Sequence, residues 1–131
     1  MPSPTFILHV EDDHDDVELL RNAFEGIEKE LSIKVIIEGH KVLPWLEAQE
    51  ILPDAIVMDL NLPKVHGREI LAALKANQKM KNIPVVILTT SSSKDDMKFC
   101  RDNGANEYIT KPSTVKGFKD AVELILKTAA R

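Results

Sequence analysis

Glu11-Asp12-Asp13, Asp59, Thr89-Thr90 and Lys111 each stand at the end of a short apolar run. The runs are Ile7 to Val10, Ala55 to Met58, Pro84 to Leu88 and Tyr108 to Thr110, and a fifth, Ile33 to Ile37, ends in Glu38. If they are parallel strands of one sheet, their carboxyl ends lie side by side and bring acids, a hydroxyl and an ammonium to one edge. That set suits phosphoryl transfer: a carboxylate can attack phosphorus while a metal ion and an ammonium neutralise the phosphoryl oxygens.

Each member also has an ordinary explanation. Asp59 closes Ile56-Val57-Met58 and precedes Leu60-Asn61-Leu62-Pro63, so it could be a turn acid. At the end of a buried strand, however, an ionised carboxylate needs compensation by a cation or by hydrogen bonds. Glu11, Asp12 and Asp13 could simply complement the start of a helix, with Asp13 or His14 near the cap. Acids converging on Asp59 repel one another unless a divalent cation joins them, and an oxygen-only set with open water positions suits Mg²⁺. Among the hydroxyls, Ser92 or Ser93 caps the helix that begins Lys94-Asp95-Asp96, which leaves a threonine for the site. Lys111 could be a solvated charge, but Pro112 behind it imposes a sharp, sometimes cis, turn that would hold the ammonium in one place.

The elements that must position these groups alternate between strand-like runs of four to six residues and amphipathic stretches, the signature of βαβ units and a parallel sheet. The strands read as Phe6 to Val10, Ile33 to Ile37, Ala55 to Met58, Val85 to Leu88 and Glu107 to Ile109. Val17, Leu20, Phe24, Ile27 and Leu31 form one face of a first helix, opposite Glu18, Arg21, Asn22 and Glu25. The second helix is read from near Leu43 to before Pro53, with Pro44 in its first turn. The third uses Ile70, Leu71 and Leu74 between Gly67 and Asn77; the fourth turns Met97 and Cys100 inward, with Gly104 past its end. The last carries Phe118, Val122, Ile125 and Ala129.

Composition narrows the function classes. At 131 residues the chain has the length of one ordinary domain, and with one Trp, one Tyr and four Phe its core is aliphatic. A net charge of −4 argues against a nucleic-acid footprint. Cys100 is the single cysteine, so no internal disulfide and no zinc cluster is expected, and it reads as a buried apolar thiol. The first ten residues lack a basic segment and a long apolar run, from which a cytoplasmic protein without a membrane span is expected. His9, His14, His40 and His66 show no metal-binding spacing.

Taken together, Glu11-Asp12, Asp59, Thr89 and Lys111-Pro112, with 30 positions between the second and third and 22 between the third and fourth, resemble the receiver domain of two-component response regulators. Val10-Glu11-Asp12-Asp13 followed by Asp15-Asp16-Val17 is similar to the single-domain regulators that accompany bacterial phytochromes. The resemblance implies a flavodoxin-like, doubly wound, five-stranded parallel sheet of order 2-1-3-4-5 flanked by five helices, spanning residues 1–131 without an output domain. It implies that Asp59 is phosphorylated by a sensor histidine kinase, that Asp12 and Asp59 bind Mg²⁺ directly and Glu11 through water, and that the Asn61 carbonyl completes the shell. Thr89 then bonds the phosphoryl group, Lys111 pairs with it, Tyr108 is an aromatic switch, and Asn61 and Ser91 tune the phosphoryl lifetime. The protein would be no metabolic enzyme but a phosphoacceptor that catalyses its own phosphorylation and dephosphorylation and switches an unidentified downstream protein. Two rivals are a receiver-like scaffold that is never phosphorylated and a small metal-dependent phosphatase.

His66 before Gly67 and Ser113 after Pro112 depart from the family pattern without touching the chemistry. Asp15, Asp16, Glu18, Leu19 and Asn22 are the expected exposed kinase-facing residues of the first helix. Phe99 and Leu124 fall off the buried stripes of their helices, and near Tyr108 they would form a patch for a partner or for a second copy across helix 4, strand 5 and helix 5.

Overall fold

The apolar runs do form strands, and all of them run parallel. A computed structural model describes residues 5–27 and 30–130. The strands are β1 (Thr5–Val10), β2 (Leu31–Ile36), β3 (Ala55–Met58), β4 (Val85–Thr89) and β5 (Glu107–Thr110), in the order β2-β1-β3-β4-β5. The helices are α1 (His14–Glu25), α2 (Val42–Glu47), α3 (Gly67–Ala76), α4 (Lys94–Asp102) and α5 (Val115–Ala129). This is the expected doubly wound architecture.

Register explains why the polar strand ends meet. Ile36, Val10, Met58, Ile87 and Tyr108 lie in one row across all five strands. Glu11 and Asp59 come one residue past that row, Thr89 two and Lys111 three. Because side chains alternate between the faces of a sheet, Thr89 follows Ile87 toward one layer of helices and Lys111 follows Ile109 toward the other. The first layer packs Val42, Leu46, Ile70, Leu71, Leu74 and Cys100 against Leu8, Met58 and Ile87. In the second, Leu20, Phe24, Phe118, Val122 and Ile125 lie over Ile7, Val57 and Leu88. Every residue of β3 and β4 is buried, as the continuously apolar runs require.

Local chemistry sets the helix starts. The Asp13 carboxylate accepts from the N–H groups of Asp15 (2.9 Å) and Asp16 (3.1 Å), Ser93 Oγ from Asp96, and Thr114 Oγ1 from Gly117. His66 caps α3 by accepting the Arg68 N–H on Nδ1 at 3.1 Å. Gly104, at φ +90°, closes α4 in the left-handed conformation that glycine adopts without strain.

Five expectations change. Helix α1 stops at Glu25, where Gly26 caps it, so Ile27 is exposed and Leu31 opens β2 instead of extending the helix. The second strand correspondingly ends at Ile36, and Ile37 is exposed. Helix α2 is half the expected length, ending at Glu47; a 3₁₀ turn over Gly39–Lys41 precedes it, which places Pro44 in the first turn where its missing N–H costs no bond. On α4 the inward pair is Cys100 and Phe99 rather than Cys100 and Met97: Phe99 is half-buried against the core beneath the Arg68 guanidinium, whose Cζ lies 4.1 Å from the ring centroid. Leu124 is also half-buried. The expected patch is therefore less exposed than the sequence suggests, and next to Tyr108 a groove is lined by Met97, Arg101, Ala105, Asn106 and Glu107. No cis peptide occurs among the described residues, so the turn at Pro112 is trans.

Cys100 is fully buried, and burial, reinforced by Asp96, pushes its thiol up to about 11 from 9.0. The thiolate fraction at pH 8 consequently falls about a hundredfold. A colorimetric thiol reagent at pH 8 is expected to modify the native protein at least about a hundredfold more slowly than the guanidinium-unfolded chain; equal rates would contradict the buried position.

Candidate functional site

The site is built around Asp59, held where β3 ends. Its backbone N–H donates to the Val10 carbonyl at 3.1 Å, extending the sheet by one residue, and its Oδ1 accepts from the Asn61 N–H at 3.1 Å. Beyond it the chain turns sharply. Leu62 N–H reaches the Leu60 carbonyl at 3.0 Å and Val65 N–H the Pro63 carbonyl at 2.8 Å, with Lys64 at φ +68°. The turn centred on Lys64 holds a non-glycine residue in the left-handed region and is the strained one of the two, and together they bring α3 back against the strand end. Gly67 sits so close that a β-carbon on it would lie 2.6 Å from the Asp59 carbonyl oxygen and 2.7 Å from Leu60 Cα.

Lys111 closes the site from β5. Its N–H donates to the Thr89 carbonyl at 2.7 Å, and Pro112 packs so tightly on α5 that a β-carbon at Gly117 would fall 2.5 Å from the proline Cβ. Lys111 Nζ donates to Asp16 Oδ2 at 2.6 Å, lies 2.7 Å from Glu11 Oε1 and donates to Asp59 Oδ2 at 3.0 Å. Burial works against the ammonium, but hydrogen bonds to Asp16, Glu11 and Asp59 outweigh it and hold Lys111 above the usual lysine range.

Glu11 is 1% exposed. Its Oε2 accepts from the N–H groups of Asp12 (3.1 Å) and Asp13 (3.3 Å), while burial pushes the carboxyl up to about 7 against the pull of Lys111. Burial also opposes ionisation of Asp59, but hydrogen bonds from Thr89, Lys111 and the Asn61 N–H prevail and keep it below the usual carboxylate range. Asp59 is thus held in its charged form.

Glu11, Asp12 and Asp59 each offer a carboxylate oxygen within 4.8 Å of the others. Three carboxylates gathered this closely form an oxygen-only donor set of the kind that hard divalent cations prefer. The donor set fits a divalent metal ion.

On the other side of Asp59, the buried Thr89 hydroxyl is linked to a chain of polar contacts. Asn61 Nδ2 approaches Thr89 Oγ1 and Thr90 Oγ1 at 3.5 Å, and Ser91 N–H donates to Thr89 Oγ1 at 3.4 Å. Ser91 Oγ donates to Asp96 at 2.7 Å, Arg68 pairs with Asp96 at 3.2 Å, and the Tyr108 hydroxyl donates to the Ser91 carbonyl at 2.8 Å. Thr89 is thereby tied to α3, α4 and Tyr108 through a single residue, Ser91.

All the expected site residues, Glu11, Asp12, Asp59, Asn61, Thr89, Tyr108 and Lys111, gather at this edge. Glu38 does not; it pairs with Lys41 at 3.0 Å away from the site. Asp15, Glu18, Leu19 and Asn22 are exposed on α1 as expected, but Asp16 turns inward to Lys111. Sequence reasoning missed that role, and it missed the link from Ser91 through Asp96 to Arg68. A long-range ion pair leaves no periodic signal.

A parallel α/β sheet with an acid-rich, lysine-closed pocket at its carboxyl edge defines a phosphoacceptor type of signalling domain. Residues 7–123 match the family described as the response regulator receiver domain, and the chain belongs to that family. It is 37% identical over 126 residues, 93% of this chain and 81% of the relative, to the probable methanogenesis regulatory protein FilR2 of Methanothrix harundinacea. Response regulator Rcp1 of Synechocystis is 36% identical over 118 residues, 86% of this chain and 80% of the relative. Among solved structures, the phosphorylated cyanobacterial phytochrome response regulator RcpA superposes with a TM-score of 0.87 at 33% identity, covering 96% of each chain. The Mn²⁺-bound form of Rcp1 gives 0.84 at 35% identity, covering 93% of this chain and 91% of the other. Among the described residues, no helix is long and apolar enough to cross a membrane.

The close approach of Gly67 generates a test. Gly67→Ala must push backbone against backbone and is expected to lower stability by about 1–3 kcal/mol in urea unfolding; an unchanged midpoint would show that the turn does not depend on it.

Proposed function

We propose that this receiver domain takes a phosphoryl group on Asp59 from a sensor histidine kinase, in a reaction that needs Mg²⁺ and that the domain itself catalyses. The observation that supports this most is the convergence on Asp59 of a cation-sized acid cluster, the Lys111 ammonium and the Thr89 hydroxyl. In the transfer, an Asp59 carboxylate oxygen forms a bond to phosphorus as the donor's bond to phosphorus breaks. The leaving group is the histidine imidazole of a kinase or the acetate of acetyl phosphate. Lys111 neutralises charge on the phosphoryl oxygens, and Thr89 donates to one of them. A cation held by Glu11, Asp12, Asp59 and the Asn61 carbonyl would neutralise the remainder.

The product adds charge and acceptor oxygens beside Thr89. As Thr89 turns toward them, Ser91 loses its contact with the threonine hydroxyl, and the change passes to Tyr108 and to the α4–β5 surface. Asn61 and Ser91 border the path of attacking water and set the phosphoryl lifetime. Similarity to Rcp1 and RcpA favours a stand-alone regulator in the cytoplasm that serves a phytochrome-type kinase. The α4–β5–α5 face, including Leu124, is the proposed contact for a downstream protein or a second copy. Leu124→Glu is expected to shift sedimentation toward monomer or weaken partner binding, and no change in either would remove that face from the proposal.

Acetyl phosphate with Mg²⁺ is expected to give a base-labile phosphate that mass spectrometry places on Asp59, and Asp59→Asn is expected to give none. No adduct in wild type would favour the scaffold reading, steady release of phosphate over many turnovers the phosphatase reading, and the same adduct in Asp59→Asn would displace the nucleophile.

A further inference from the structure

Asp16 occupies the third position of α1, where an acid ordinarily turns back to the helix's own first N–H groups or faces water. Its carboxylate instead crosses to the end of β5. Oδ2 accepts from Lys111 Nζ at 2.6 Å, against 2.7 Å from Nζ to Glu11 and 3.0 Å to Asp59. An ammonium carries three protons, and these three carboxylates can engage one each.

The three acceptors differ in what else holds them. Glu11 is buried and accepts two backbone N–H groups, and the buried Asp59 also accepts from the Asn61 N–H. Asp16, with its side chain 25% exposed, stands at the outer rim of the cluster. Its partner lies 95 positions away, so the contact exists because the fold lays α1 beside the end of β5.

We propose that Asp16 is a positioning residue that competes with a phosphoryl group on Asp59 for the Lys111 ammonium and so sets the stability of the phosphorylated form. This rests on the reading of Asp59 as the phosphoacceptor. When phosphoryl oxygens enter, Lys111 must turn at least one proton toward them, and the rim carboxylate is the acceptor that water can best replace. Until it yields, Asp16 withholds a donor and adds a like charge beside the incoming anion. Asp16 therefore disfavours the phosphorylated state, whereas Lys111 favours it.

The test is a beryllofluoride titration of wild type, Asp16→Asn and Asp16→Glu at saturating Mg²⁺, followed by fluorine NMR, with phosphate loss from the acetyl phosphate adduct measured in parallel. Asp16→Asn removes one partly exposed ion pair and is expected to lower the beryllofluoride midpoint about two- to fivefold and to slow phosphate loss. Asp16→Glu, which keeps the charge, is expected to stay near wild type. An unchanged or higher midpoint in Asp16→Asn, or equal shifts in both variants, would overturn the competition while leaving Asp59 as phosphoacceptor. A wild-type protein that forms neither adduct would overturn the parent reading, and this one with it.

Discussion

One ammonium holds the carboxyl edge of this sheet together. Glu11, Asp16 and Asp59 crowd within 3.0 Å of Lys111 Nζ, and Asp12 stands beside them. Removing one partner from a buried charge cluster typically costs about 3–5 kcal/mol because the remaining charges are left uncompensated. The geometry elsewhere serves that constraint. The β1–β3 register sets Glu11 beside Asp59, the Thr89 carbonyl fixes the Lys111 backbone, and the absent side chain at Gly117 lets Pro112 seat the turn on α5.

The alternation of side chains then gives the site two unlike halves. Toward α1 and α5 lies a charged half, in which an ammonium balances carboxylates. Toward α3 and α4 lies a hydrogen-bonded half, in which Thr89 leads through Ser91 to the Asp96–Arg68 ion pair and to Tyr108. Asp59 sits between them. A group attached there would meet charge on one side and hydrogen-bonding groups on the other, and the second side leads through Ser91 to Tyr108 of β5.

Much of this was legible in the residues because strands and helices carry periodic signals. The apolar runs located every strand to within two residues, and their polar terminators named the site. What was illegible has specific causes. Gly26 broke a pattern that Leu31 still seemed to extend, although Leu31 belongs to the next strand. Helix α2 was overextended because Pro53 is the first strong stop signal after Leu43, whereas the helix ends at Glu47. Phe99 was misjudged because a cation over an aromatic face is a tertiary fact, and Asp16 because an acid in a first helical turn already has a sufficient local reason to be there.

The site's assembly from distant segments has a consequence for folding. Asp16, Asp59 and Lys111 come from widely separated parts of the chain, with 95 positions between the first and last. A chain in which β5 has not docked has the acids without the lysine, and one in which β3 is unpaired has no Asp59 beside Glu11. Any ligand of the complete site therefore binds only the fully folded protein and stabilises it by mass action, in proportion to the logarithm of ligand concentration over Kd. A divalent cation or a phosphoryl analogue that fills this site would thus select the native state over partly folded ones.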